Sequence, residues 1–136
     1  MTSQFTCIAL LIVLNIPMFT KALSVLLFLS GVGFFFYTLG FNKVSNFNII
    51  PDIKEEAELI TKGAYKYIRH PMYFAVLLTM FAPLSNSIDY TNIIICIVLT
   101  GTMFLKAKKE ERLWQMESSQ YKYYMKKTKM IIPFIL

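Results

Sequence analysis

The sequence predicts an all-α integral membrane protein, with four transmembrane helices in two hairpins, a cytoplasmic loop and a C-terminal interfacial helix. Three observations predict it. The 136 residues are 56% hydrophobic and only 16% charged, where a soluble domain carries roughly a quarter charged residues. The charges are segregated: Lys21 is the sole charge in residues 1–42, and residues 71–88 and 90–105 carry none. The uncharged runs approach the length of about 20 residues that a helix needs to cross a bilayer. At this length one domain, 1–136, is expected.

The spans follow in order. The first run is 4–19, with Pro17 near its end, and the second is 22–41, rich in Leu and Phe. Lys21 separates them, which predicts a tight helical hairpin. The third run, 71–87, opens on Pro71, suited to a first helical turn because its missing N–H would have no partner there. The fourth, 90–105, follows the turn sequence Ser85-Asn86-Ser87-Ile88-Asp89. Lipid offers no partner to free N–H and C=O groups, so these runs must be helical. Every Lys and Arg except Lys21 lies in 43–69 or after residue 105. The positive-inside rule then places the loop 42–70, the tail 106–136 and both termini in the cytoplasm. In the loop, Pro51-Asp52 and the acidic stretch to Glu58 suggest a short helix broken by Gly63. Residues 106–129 read as span four continuing into an interfacial helix, since lysines there alternate with Trp114, Tyr121, Tyr123 and Tyr124. The apolar end after Met130 is too short to cross and is expected to fold back onto the protein or the interface.

Several function classes find no support. The N-terminal run lacks the basic n-region of a secretory signal and is read as mature structure. Cys7 and Cys96 lie within apolar runs and read as small buried hydrophobes. One histidine and no Cys/His cluster give no metal site. The net charge of +6 is explained by cytoplasmic topology and needs no nucleic acid. No charged residue lies within a span, so no ion path is marked.

Two clusters stand out. Gly63-Ala64-Tyr65-Lys66-Tyr67-Ile68-Arg69-His70-Pro71-Met72-Tyr73 abuts span three and contains the single histidine. Glu110-Glu111 follows span four. Arg69 and Tyr73 also suit a membrane-interface anchor, in which Arg snorkels and Tyr joins the aromatic belt. The acidic pair also suits surface pairing with Lys106, Lys108, Lys109 or Arg112. Neighbouring helical residues point about 100° apart, so one glutamate at most is expected to face inward. A short turn makes spans three and four antiparallel, which returns Glu110 to the membrane face of His70.

The order of these motifs resembles the isoprenylcysteine carboxyl methyltransferase family, whose outline the phospholipid N-methyltransferases share. The resemblance runs over about residues 57–136. It follows G-x-Y-x-x-x-R-H-P-x-Y from Gly63 to Tyr73, then an apolar hairpin, the Glu110-Glu111 pair, Tyr121, Tyr124 and Pro133. It implies an integral membrane methyltransferase using S-adenosylmethionine in a cytoplasm-facing pocket, with the acceptor entering from the bilayer. Carried onto this chain, the cofactor site would use Leu59, Ile60, Tyr65, His70, Pro71, Met72, Tyr73 and Glu110, with Glu111 an alternative by register. Lys106 would hold an anionic acceptor. No residue is singled out as catalytic, and no metal is implied. Two other readings stand beside this one. Sterol reductases using NADPH carry a similar R-H-P-x-Y stretch, and a small non-enzymatic membrane subunit would use the same charges as topology anchors.

Overall fold

A computed structural model describes residues 2–14, 20–42 and 59–135. The end of the first run with Pro17, and the expected loop helix after Pro51, lie outside the described residues. Among the described residues the chain forms five α-helices and a short 3-10 helix. These are α1 (Thr2–Leu14), α2 (Ala22–Leu39), the 3-10 helix (Gly63–Lys66), α3 (Pro71–Asn86), α4 (Tyr90–Glu117) and α5 (Ser119–Lys127). Among the described residues only α2 and α4 are long and apolar enough to cross a membrane, while α1 is a shorter apolar helix and α3 has 16 residues. Two of the four expected spans thus meet the length and composition of a membrane crossing among the described residues.

The pairing of helices differs from two sequential hairpins. The most extensive packing joins α2 to α3, and α1 packs on α4. The reason lies on one face of α2, where Ser24, Gly31 and Thr38 recur every seventh residue and are buried. Ser24 and Thr38 turn their hydroxyls back to their own helix, donating to the carbonyls of Lys21 (2.7 Å) and Phe35 (2.8 Å). At Gly31 a Cβ would lie 2.6 Å from the backbone nitrogen of Thr79, so the two backbones meet there. Small residues permit this approach when lipid provides no hydrophobic drive between helices. The pair is antiparallel: Thr20 bonds Asn86 at one end, and Asn42 donates to the Met72 sulfur at the other.

Leu11 and Cys7 of α1 enter a core with Leu77 and Met80 of α3 and Leu99 and Met103 of α4. Cys7 and Cys96 are free and buried. The outward faces keep large apolar side chains exposed, among them Leu26, Leu29 and Phe36 of α2 and Ile94, Ile97 and Leu105 of α4. Such extended apolar exposure fits a lipid environment.

Asp89 caps α4, its side chain accepting from the Asn92 amide at 2.9 Å. From there α4 runs unbroken through Lys106 to Glu117, so the fourth apolar run and its charged continuation are one helix. The continuation does not reach residue 129: Ser118 is extended and separates α5. The C-terminal segment folds back. Ile68 and Lys129 form an isolated parallel bridge, Arg69 and His70 donate to the carbonyls of Lys129 and Met130, and Ile131 joins the core.

Candidate active site

The Gly63–Tyr73 segment is shaped by its glycine and its proline. Gly63 sits at φ +59°, and a Cβ there would lie 2.7 Å from the Phe41 ring. Only glycine meets both conditions without strain. Pro71 occupies the first turn of α3 and is buried. Between them, the backbone amides of Arg69 and His70 donate hydrogen bonds to the carbonyls of Lys129 and Met130, at 2.8 and 2.9 Å. This directs both side chains toward the charged stretch of α4.

His70 stacks on Tyr73 with ring centroids 5.2 Å apart and planes 5° from parallel. Its Nδ1 lies 3.5 Å from Glu110 Oε2 and its Nε2 lies 3.4 Å from Glu111 Oε1. Both contacts are long for a hydrogen bond. Nε2 is buried and makes no hydrogen bond. Tyr73 donates its hydroxyl to Glu110 Oε1 at 2.7 Å. Lys106, one turn earlier on α4, places its ammonium 5.3 Å above the Tyr73 ring and 4.0 Å from Glu110. The expectation that at most one glutamate faces inward is thus corrected. His70 stands between the two directions in which adjacent α4 residues point, and each carboxylate approaches a different ring nitrogen.

Arg69 is corrected from an interface anchor to an internal clamp. Its side chain is 8% exposed, and Nε donates to Glu111 Oε1 at 2.5 Å. Nη1 donates to the carbonyls of Thr128 and Met125. An internal carboxylate and two carbonyls replace water around the guanidinium, which removes any reason to snorkel. Tyr73 likewise points its hydroxyl into the site and not toward headgroups.

Tyr65 lies in the 3-10 helix and accepts, through its carbonyl, a bond from the Tyr124 hydroxyl. Burial, and secondarily the charge of Glu110, push its phenol up to about 12. Burial also raises Tyr121 and Tyr124. Tyr121 stacks on Trp114 at 5.7 Å, tying α5 to the end of α4. These phenols stay neutral at physiological pH and act as hydrogen-bonding surfaces.

His70, Tyr73, Glu110, Glu111 and Lys106 therefore meet in one place, and Tyr65 lies within the electrostatic reach of Glu110. Pro71 is buried at the start of α3, and the Met72 sulfur faces Asn42 at 3.4 Å. Leu59 and Ile60 are half-buried in the extended approach to Gly63 and join no polar contact of the cluster among the described residues. Sequence reasoning passed over Thr128 and the clamp role of Arg69. The signal for them is the bridge between Ile68 and Lys129, a pairing of two distant residues with no local pattern.

No curated protein and no solved structure matches the chain. Residues 24–116 match the Isoprenylcysteine carboxyl methyltransferase (ICMT) family, a stretch that contains both arms of the cluster and more than half of the sequence. The chain belongs to this family of methyltransferases.

Proposed function

We propose that the protein is an S-adenosylmethionine-dependent methyltransferase acting on a lipophilic acceptor at the cytoplasmic membrane face. The observation that carries this reading is the convergence of His70, Tyr73, Glu110 and Lys106 at one end of α3 and α4, in a chain of a methyltransferase family. Family membership leaves the reductase reading without a supporting observation. The anchor reading is weakened because the side chains of His70 and Glu110 are only 10% and 19% exposed and face each other.

We read α1 and α3 as crossing the bilayer with α2 and α4. Leu10, Val13 and Leu14 of α1 and Phe81 of α3 are exposed apolar residues that call for lipid. Four crossings put the cationic loop and tail on the cytoplasmic side, together with both termini and the site.

The cluster fits the methyl donor. His70 Nε2 is buried and makes no hydrogen bond, its approach to Glu111 being 3.4 Å, which leaves it capacity to bond a polar ligand atom. S-adenosylmethionine, when bound, supplies a methyl group already activated on a positive sulfonium. The residues therefore align and exclude water, which is catalysis by proximity and orientation. His70 and Tyr73 hold the polar ends of the donor. Glu110 faces its ammonium or ribose hydroxyls and favours positive charge nearby. Tyr65 lines the adenine side, and Leu59, Ile60, Pro71 and Met72 complete the wall. Glu111, fixed by Arg69, positions His70. Lys106 presents a point charge to an acceptor carboxylate or phosphate. A carboxylate nucleophile needs no base, because it already carries the electron pair that forms the new bond.

The test is transfer of label. Purified protein is incubated with radiolabelled S-adenosylmethionine and a host-membrane extract. A labelled lipid-soluble product made by the native protein and not by His70→Ala supports the reading. Absence of labelled product from the native protein, with donor binding absent as well, removes it.

A further inference from the structure

A second site lies away from the α3–α4 cluster. A cleft of about 330 Å³ opens where α5 ends, lined by Tyr67, Lys126, Lys127, Thr128, Lys129 and Phe134 among others. Three lysines converge there, and none of the lining residues is acidic. Lys106 on α4, by contrast, has Glu110 beside it.

The floor is rigid. Thr128 is buried, its hydroxyl donates to the Tyr124 carbonyl at 2.8 Å, and its own carbonyl receives Arg69. Lys129 is fixed through its backbone, donating to the Tyr67 carbonyl at 3.0 Å and accepting from the Arg69 amide. The lip is apolar. Tyr67 and Phe134 face each other with centroids 6.5 Å apart. Phe134 is 83% exposed and sits at φ +65°, a conformation that bulky residues rarely adopt. Ile135 beside it is 76% exposed. Lys127 also lies 4.3 Å from the exposed Tyr123 ring.

A cationic hollow beneath a protruding apolar lip matches an amphiphile with an anionic head. A free phosphate would use the lysines and leave Phe134 and Ile135 in water. We propose that this cleft binds an anionic phospholipid, with its phosphate among Lys126, Lys127 and Lys129 and its acyl chains against Phe134 and Ile135. Charge attraction to anionic lipid and burial of apolar side chains at the headgroup boundary then act together. The proposal does not depend on the identity of the methyl donor.

The experiment uses the full chain reconstituted in nanodiscs of equimolar phosphatidylcholine and phosphatidylglycerol. Lipid retained after extraction is read by native mass spectrometry, and affinity by titrating phosphatidylglycerol into detergent-solubilised protein. The native protein is expected to retain phosphatidylglycerol preferentially. Each of Lys126→Gln, Lys127→Gln and Lys129→Gln is expected to weaken binding about fivefold, from the usual contribution of a lysine near an anionic surface. The triple variant Lys126→Gln, Lys127→Gln and Lys129→Gln is expected to lose the preference, whereas the charge-matched combination Lys108→Gln, Lys109→Gln and Lys122→Gln, which removes exposed lysines outside the cleft, is expected to keep it. Phe134→Ser is expected to lower retention with all lysines present. Excess inorganic phosphate is expected not to displace the lipid. No preference in the native protein, equal losses in the two triple variants, an unaffected Phe134→Ser variant, or displacement by inorganic phosphate would each overturn the proposal.

Discussion

Glu110 and Glu111 are neighbours on one helix, yet their surroundings differ in kind. Around Glu111 the chain is closed: the side chain is 5% exposed and bonded to Arg69, which in turn fixes Thr128 and Met125. Around Glu110 it is more open. That side chain is 19% exposed and meets Tyr73, the edge of His70 and the ammonium of Lys106. The contrast teaches how a small helical protein builds a site at the end of its bundle. One carboxylate is used up holding the C-terminal segment to α4 through Arg69, and its neighbour is left on the more exposed side, where the proposed function places the methyl donor. His70 lies between the two and belongs to both.

The largest expected effect breaks the closed side. Arg69→Ala or Glu111→Ala leaves a buried charge without its partner, which costs about 3–5 kcal/mol. Thermal unfolding in detergent is expected to show that loss, while Glu110→Gln stays close to the native protein. Equal destabilisation by Glu110→Gln and Glu111→Ala would erase the distinction. A smaller effect sharpens it. Thr128→Val removes a buried hydroxyl that donates to the Tyr124 carbonyl and is expected to cost about 1 kcal/mol, with donor affinity unchanged. On the open side, Lys106→Gln is expected to raise the KM for an anionic acceptor several-fold. It should leave stability and donor binding nearly unaltered in steady-state assays and calorimetry.

A further effect is a pH dependence. The Tyr65 phenol is raised in the folded protein to about 12 by burial and by Glu110, against about 10 in an unfolded chain. The stability it contributes is fully present below about 10 and is lost as pH rises toward 12. Comparison of Tyr65→Phe with the native protein across that window, by unfolding midpoint, is expected to show a shallower alkaline decline in the variant.

Some of this was legible in the sequence because it is local. Gly63 and Pro71 announce a sharp approach and a helix start, and the turn before Asp89 makes α3 and α4 antiparallel, which returns Glu110 to His70. The family was legible through the same spacing. The arrangement of helices was less so. The stripe of Ser24, Gly31 and Thr38 is what sends α2 onto α3, and it is hidden inside a run that reads as Leu and Phe. The role of Arg69 was hidden for another reason. Its partners come from α4 and from residues 125–128, joined by a bridge of one residue pair, and no periodicity records such a contact. Adjacent glutamates were expected to divide between inside and outside, because a helical wheel does not include a histidine placed between two rays.

The central claim is that the open side of this cluster holds the methyl donor. Calorimetric titration of S-adenosylmethionine into the native protein, His70→Ala and Glu110→Ala tests it most directly. Saturable binding to the native protein is predicted, with at least about tenfold weaker affinity in each variant, or about 1.4 kcal/mol, and with both variants folded by circular dichroism. Native affinity in both variants, or no heat of binding to the native protein, would contradict the account.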